Sequence, residues 1–517
     1  MIKGNLALIL HAHLPYVRSA EPGSLEEDWY FQALMECYLP LLEVIEKSFY
    51  NKNENPKLTI SLSPTLLSLL DDQDLKNRFP EWIKLRLKIL RTNAQAQNQA
   101  GEHLIKVINN QLDNWLKCQG ELIKRFIELE RLNAIDILTC AATHGYLPIL
   151  RENTETVRGQ LKTAVREHAR FFGKMPQGIW LPECAYYEGL DNLLREAGLR
   201  YSVLDGHGVL HAKPRPRYGV YAPICTKNGI AFFGRDSDST LPVWSAKEGY
   251  PGNQRYREFH RDIGWDLPLE QLNEFGIQDP RPLGLKLHKV SVHSTLEDKK
   301  LYEPIDALKQ IKEDAKDYLN GRKNQLLKIN KETNVNALLV APFDAELFGH
   351  WWFEGPLFIG ELFKQAAKQN VRFTTLKEFL VKNSVLQLCE PCPSSWGQGG
   401  FHKYWLNESN DWVVNEWSKA GKAMVNICSK GVSSKFDLRL LQQAARELLL
   451  AQSSDWSFIL RAGTTTELAK ERIHRHLSRF WELIECIETE KVIEESDILK
   501  LEKEDSIFPL IQANDWC

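Results

Sequence analysis

No stretch of the 517 residues holds the roughly 18 consecutive apolar side chains of a membrane span, so no ordinary transmembrane helix is expected. The opening MIKGNLALILHAHLPY has only a short apolar run with nothing resembling a cleavage site after it, which predicts a protein without an export signal. Charge of one sign is lacking too. With 65 Lys and Arg against 68 Asp and Glu, the formal net charge is -3, and no general field exists for nucleic acid or anionic lipid. No phosphate-binding glycine loop and no dinucleotide fingerprint occur, which removes the common nucleotide and hydride-cofactor enzymes. Cysteine is thinly spread: ten residues from Cys37 to Cys517 are too dispersed for a disulfide scaffold and read as reduced thiols. Cys389 and Cys392 have CxxC spacing, but the pair stands alone in a Pro-rich stretch, without the partners a zinc site requires. These absences predict a cytoplasmic protein, monomeric or weakly oligomeric, with no cofactor, no metal, no nucleic-acid partner and no membrane partner.

What is present is apolar and aromatic. At 43% hydrophobic and 26% charged, the chain can bury a large core divided among two or three domains. Its fifteen tryptophans include groups at 244–265, 351–352 and 396–417 that fall in Gly-rich or polar stretches, where a binding surface accounts for them better than a core.

The stretch NALLVAPFDAELFGHWWFEGP at 336–356 organises the rest. Residues 337–340 have the length and branching of a strand covered on both faces, and Pro342 ends the ladder just before Asp344. In barrels of parallel strands, side chains at the carboxyl ends converge over the centre, so Asp344, Glu346 and His350 are expected to project into a shared cleft. A helix N-cap is the plain alternative for Asp344. Trp351, Trp352 and Phe353 favour the cleft, because three consecutive large rings beside acids suit the flat faces of sugars better than open water.

The same layout recurs along the chain. A first strand, 5–10, runs into His11 and His13, whose two-residue spacing points both rings one way; they could ligate a metal, move protons or donate hydrogen bonds to substrate. Trp29, in EEDWYFQ, opens the following helix and could reach over the same cleft. After a strand at 58–62, about sixty residues show apolar side chains at three and four spacing, an amphipathic helical insertion with no visible chemistry. A strand at 135–141 ends in Thr143-His144-Gly145-Tyr146, and one at 178–181 ends in Pro182-Glu183-Cys184, which makes Glu183 the natural partner of Asp344. Further strands are expected at 201–204 and 372–375, giving about seven that alternate with helices. The excursion 206–330 is too long for an ordinary loop and reads as a lid or substrate wall. The expected organisation is therefore a barrel over 1–74 and 136–385, the insertion at 75–135, and a helical C-terminal domain over 386–517 that contributes to the cleft.

Two carboxylates on different strands, flanked by histidines and aromatics, suggest glycoside chemistry, in which one acid protonates the leaving oxygen and the other stays ionised. The residues alone leave open which does which. HAHLPY at 11–16, ATHGYLP at 142–148, GIWLPECAYYEGLD at 178–191 and APFDAELFGHWWFEGP at 341–356 resemble the ordered motifs of glycoside hydrolase family 57. With VWSAKEGYPG, YREFHRDIGWD and SSWGQGG they look like its 1,4-alpha-glucan branching members. That resemblance implies an α/β fold, an incomplete (β/α)7 TIM-like barrel with a small helical insertion and a helical C-terminal domain. It also implies Glu183 as nucleophile and Asp344 as general acid/base. His11, His13 and His144 would line the donor subsite, Trp29, Arg261, Trp265, Trp396 and Trp405 would bind glucan, and Asp455 would reach in from the tail. His350, Trp351 and Thr464 complete the substrate-binding set, Thr464 standing where the family pattern has a glutamine. The family's branching members tend to carry a tyrosine at the tip of a mobile loop; the expected tip here, 235–242, has none, and Tyr221 and Tyr250 flank it.

The substrate this implies is an alpha-glucan such as amylose or glycogen. Within the family an alpha-amylase or a 4-alpha-glucanotransferase would use the same acids with another acceptor, and a glycan-binding protein without turnover would keep only the tryptophans. A metal-dependent polysaccharide deacetylase is the rival that would use His11 and His13 as ligands. Activity on alpha-glucan is expected to survive exhaustive chelation; loss of activity on chelation, restored by a divalent ion, would favour the deacetylase reading.

Overall fold

The computed structural model describes residues 4–19, 21–51, 54–245, 248–291, 298–432, 434–489 and 491–517, so Ala246 and Lys247 of the VWSAKEGYPG motif, and part of the 206–330 excursion, lie outside the described residues. Among the described residues, nine strands form one curled sheet: β1 Gly4–Ala12, β2 Leu58–Leu62, β3 Ile135–Cys140, β4 Gly178–Trp180, β5 Tyr201–Leu204, β6 Ile224–Cys225, β7 Ala231–Gly234, β8 Ala337–Asp344 and β9 Gln387–Leu388. Their order is β8-β1-β2-β3-β4-β5-β7-β6-β9. The run from β8 to β7 is parallel, and β6 turns back antiparallel to β7. These strands read as apolar runs because helices cover one face and the barrel interior the other; every residue of β2, β3 and β7 is buried. The sheet stays open, but the Asp236 amide, just after β7, donates to the Val340 carbonyl of β8 at 2.8 Å and draws the ends together.

The membership of the seven parallel strands differs from the sequence expectation at one place. Residues 372–375 contribute one bridge, Phe373 beside Leu6, because β2 occupies that flank of β1 from Ile9 onward. The seventh strand is β7, inside the 206–330 excursion. Its signal was the Asn228-Gly229 pair, which with Gly229 at φ +77° turns β6 back into β7.

Between β2 and β3 stand the helices Pro64–Asp71, Gln73–Thr92, Gln99–Cys118 and Leu122–Arg131. Asp72 and Asn98 cap two of them, accepting from the amides of Leu75 (2.9 Å) and Ala100 (3.0 Å). Their apolar faces meet through rings such as Phe79, stacked 6.1 Å from Trp82 and tilted against Trp115 at 4.5 Å. Beyond β9, Asp411–Lys430, Lys435–Ala451, Ser454–Ala462 and Thr466–Thr489 form a helical layer with Leu448, Ile473 and Phe480 buried in its core. No helix of the described residues is long and apolar enough to cross a membrane.

Two joints bring this layer and the first helices to the strand ends. Ser453, between two C-terminal helices, bridges Gly145 just after β3, and the Thr143 hydroxyl donates to the Leu449 carbonyl. The helical run Leu25–Tyr50 contains one π-helical turn, Leu34–Tyr38, which swings Glu36 and Tyr38 toward the β8 loop. Gly349 lies flush on that turn. At φ +122°, a Cβ there would stand 1.8 Å from the Glu36 carbonyl oxygen. Gly349→Ala is therefore expected to destabilise the protein by about 3 kcal/mol; a urea midpoint that places the variant within about 0.5 kcal/mol of the parent would refute the close-approach account.

Candidate functional site

The carboxyl ends of β1, β3, β4 and β8 open into one cavity of about 330 Å³ lined by His11, His13, Trp29, His144, Glu183, Asp344, Glu346, His350, Trp351, Trp396, Asp455 and Phe458, with Leu14, Pro15 and Ala33. His11 and Asp344 are register partners on neighbouring strands, which is why their side chains share a level. Two larger concavities, about 490 and 450 Å³, lie elsewhere and hold no such set of acids at strand ends.

The turns that present these groups are strained. His144 (φ +57°), Glu183 (φ +61°) and Cys184 (φ +50°) all adopt left-handed backbone, which costs a residue with a Cβ about 1 kcal/mol each. The Glu183 turn is clamped by a segment more than two hundred residues away. The Tyr186 amide donates to the Ser394 carbonyl (2.9 Å) and the Ser394 amide to that of Tyr186 (3.1 Å), while the Trp396 amide donates to the Glu183 carbonyl (3.0 Å). The Trp396 indole N–H then donates to Glu183 Oε2 at 2.6 Å, so one residue holds both the backbone and the carboxylate.

Burial dominates the electrostatics. It pushes the Glu183 carboxyl up to about 8, aided by Asp344 and Asp455 and opposed by the Trp396 hydrogen bond. Asp344 is pushed to about 7, with His13 and Arg235 pulling the other way. Because the two acids repel, the pair holds a proton near neutral pH. The donor on Glu183 favours its ionised form, although burial raises Glu183 the further of the two. Glu346 is a third such acid: burial raises it to about 8, while its Oε1 accepts from Tyr38 Oη (2.5 Å) and the His13 amide (3.2 Å). Asp455 is the exception, since His13, and His144 beyond it, outweigh its burial and hold it well below the usual carboxylate range.

The three histidine rings lie nearly parallel, His13 over His144 at 4.1 Å and His11 edge to edge with His144 at 5.0 Å. Their outer nitrogens are used: His11 Nδ1 meets Ser61 Oγ (3.2 Å), His13 Nδ1 meets Ser63 Oγ (2.9 Å) and His144 Nδ1 meets Ser454 Oγ (2.8 Å). The inner ones pair as well, His11 with His144 at 3.0 Å and His13 with Asp455 at 3.0 Å. Burial depresses the protonation of His11 and His144, so these rings serve best as neutral hydrogen-bonding groups. The sets His11–Cys140–His144 and His13–His144–Asp455 bring ligand-type atoms within range of a metal ion. In these sets, however, His11 Nε2 and His144 Nε2 already face one another and His13 Nε2 is bound to Asp455, so the inner nitrogens are spent on hydrogen bonds. His350 Nδ1 is bound to Glu36 at 2.7 Å, and Glu36 in turn pairs with Arg257 at 2.8 Å.

Ten of the fourteen residues picked from sequence line the cavity. Arg261, Trp265, Trp405 and Thr464 lie outside its lining. Arg261 pairs with Asp266 at 3.1 Å, Trp265 and Thr464 are exposed, and Trp405 is 2% exposed, stacked on Tyr146 at 4.5 Å. Tyr38 and Phe458 escaped the sequence reading, as did the serines. Ser61 on β2 and Ser63 just past its end repeat the two-residue spacing of His11 on the adjacent β1 and His13 just past its end, a signal that could have found them. Nothing in the local pattern announces the π-helical turn that delivers Tyr38.

Residues 7–388 match the model of glycosyl hydrolase family 57, and residues 416–516 match that of the C-terminal domain of 1,4-alpha-glucan branching enzyme. A 1,4-alpha-glucan branching enzyme of Thermococcus kodakarensis is 30% identical, over 97% of this chain and 76% of that protein. Among solved structures, the alpha-amylase of Thermotoga maritima superposes with a TM-score of 0.92 at 32% identity, covering 99% of both chains. The branching enzyme of Pyrococcus horikoshii gives 0.89 at 30% identity, covering 99% of this chain and 97% of its own.

The raised acids make the site a stability cost whose sign can be checked. Glu183 and Asp344 have folded values above their unfolded ones of about 4.3 and 3.9, so stability is full below pH 4 and is lost as pH rises toward 7 or 8. Glu183→Gln and Asp344→Asn are each expected to be more stable than the parent at pH 8, by on the order of 2 kcal/mol, and so to melt higher there, with the gap closing at pH 4. Equal melting temperatures at both pH values would contradict the burial argument.

Proposed function

The chain belongs to glycosyl hydrolase family 57, and from that premise we propose that it is a 1,4-alpha-glucan branching enzyme, cleaving alpha-1,4 linkages and rejoining the freed chain as an alpha-1,6 branch. The observation that carries this reading is that the C-terminal segment similar to that of branching enzymes enters the cavity itself, supplying Asp455 and Phe458 beside the paired acids.

In this mechanism Glu183, its carboxylate held by the Trp396 indole, attacks the anomeric carbon of the donor glucan. Asp344, protonated in its buried setting, gives its proton to the departing glycosidic oxygen, and the donor chain remains on Glu183 as a covalent glycosyl ester. Asp344, now ionised, takes a proton from the 6-hydroxyl of an acceptor glucan. That oxygen attacks the ester carbon, forms the alpha-1,6 bond and releases Glu183 as carboxylate. His11, His13 and His144, their ring nitrogens bonded to serines, to one another and to Asp455, form the wall against which the donor sugar lies. Trp29, Trp351 and Trp396 give rings on which sugar faces can lie. Water competes at the second step, and an acceptor chain held on such rings wins by effective concentration.

The likeness to the Thermotoga maritima alpha-amylase favours hydrolysis as the second reading, with the same acids and water as acceptor. Proton NMR of amylose before and after incubation separates the two. A rise in the alpha-1,6 anomeric signal with few new reducing ends is expected; new reducing ends without that signal would make the protein an amylase. Glu183→Gln and Asp344→Asn should each lower either activity by about 10³-fold or more, and a Glu183→Gln protein that still turns over would refute the nucleophile.

A further inference from the structure

The stretch 235–242, expected as a loop tip, is the start of a well-anchored helix, Ser237–Trp244. Its first turn is tied down on several sides. Asp236 is bound to β8 through its amide and accepts the Gln325 amide group at 2.9 Å, while Tyr318 Oη donates to the Ser239 carbonyl at 2.9 Å and Arg322 donates to that of Asp238. From this base the helix carries Trp244 to Trp396, the two rings lying 6.0 Å apart at 29°. Arg235, steadied by Thr240 Oγ1 at 3.2 Å, sets its guanidinium 5.7 Å from the same Trp396 ring, and Trp180 meets that ring edge-on at 5.0 Å. Trp396 is thus packed by three groups while it holds Glu183 by two N–H donors. Trp244 is 37% exposed and does not line the cavity, so neither core filling nor contact with sugar in the cavity accounts for it.

We propose that Trp244 is a positioning residue for Glu183: by packing on Trp396 it fixes the indole N–H that holds the carboxylate, and so governs the rate of glycosyl transfer more than the binding of glucan. This rests on the function proposed above, with Glu183 as nucleophile. A loosened Trp396 would let the indole swing away, leaving Glu183 with less stabilisation of its ionised form and a less certain line of attack.

The test compares Trp244→Ala and Trp244→Phe with the parent on amylose across pH. Trp244→Ala should lose about tenfold in kcat with KM changed by less than about twofold. The acid limb of its kcat/KM profile should move up by about half a unit, since Glu183 must be ionised to attack. Trp244→Phe, which restores a ring on Trp396, should return both toward the parent; Trp244→Leu replaces the Ala variant if that one does not fold. A rise in KM alone, with the acid limb unmoved, would make Trp244 a sugar platform and overturn the proposal, as would unchanged kinetics. Turnover by Glu183→Gln would instead overturn the reading beneath it, so the two failures are told apart.

Discussion

Two carboxyl groups carried by different strands are buried in one small cavity, and much of the surrounding structure answers the cost of keeping them there. Each unit by which burial raises a carboxyl is worth about 1.4 kcal/mol against its charged form, and Glu183 and Asp344 are displaced to about 8 and about 7. The answer comes as directed dipoles and nearby positive charge: the Trp396 N–H on Glu183, with Arg235 and His13 acting on Asp344. None of these fully offsets burial, so the pair remains a poised proton reservoir. That state suits a reaction in which one acid gives up a proton and takes one back within a cycle.

Around this pair the acids sort into opposite environments within a few residues of one another. Glu346 is raised to about 8 by burial, with Tyr38 and the His13 amide as its partners. Glu36, two residues before Tyr38, is equally buried but is held down to about 2, because Lys286, Arg257 and His350 outweigh desolvation. The π-helical turn is what lets neighbours in sequence face such different surroundings. One side gives a neutral acid at the cavity wall, and the other an ionised anchor that fixes His350.

Much of this was legible in the sequence because the chemistry sits at strand ends, where a short apolar run breaks into a polar turn. His11, His13, His144, Glu183 and Asp344 are all marked by that break, and all five line the cavity. Trp29 and Trp351 were read from their own aromatic stretches, whereas Trp396 and Asp455 needed motif likeness, since tertiary packing alone decides which aromatic of a polar stretch turns inward. Trp396 faces the cavity while Trp405, nine residues on, is buried against Tyr146. The strand β7 was hidden for a different reason: four residues long, it lies inside an excursion whose length suggested irregular structure. Left-handed backbone at Glu183 has no sequence signature either, because glutamate is not among the residues that favour it.

The hydrogen bond between His13 and Asp455 closes a loop of 442 residues, and the Trp396 bond to Glu183 closes one of 213. Contacts of such span wait on the later partner, and both Trp396 and Asp455 follow the last strand of the sheet in sequence. A nascent chain therefore holds its acids, histidines and first strands without an assembled centre. The groups that hold Glu183 and His13 arrive with the final third of synthesis, so a barrel still on the ribosome lacks the contacts that fix its site.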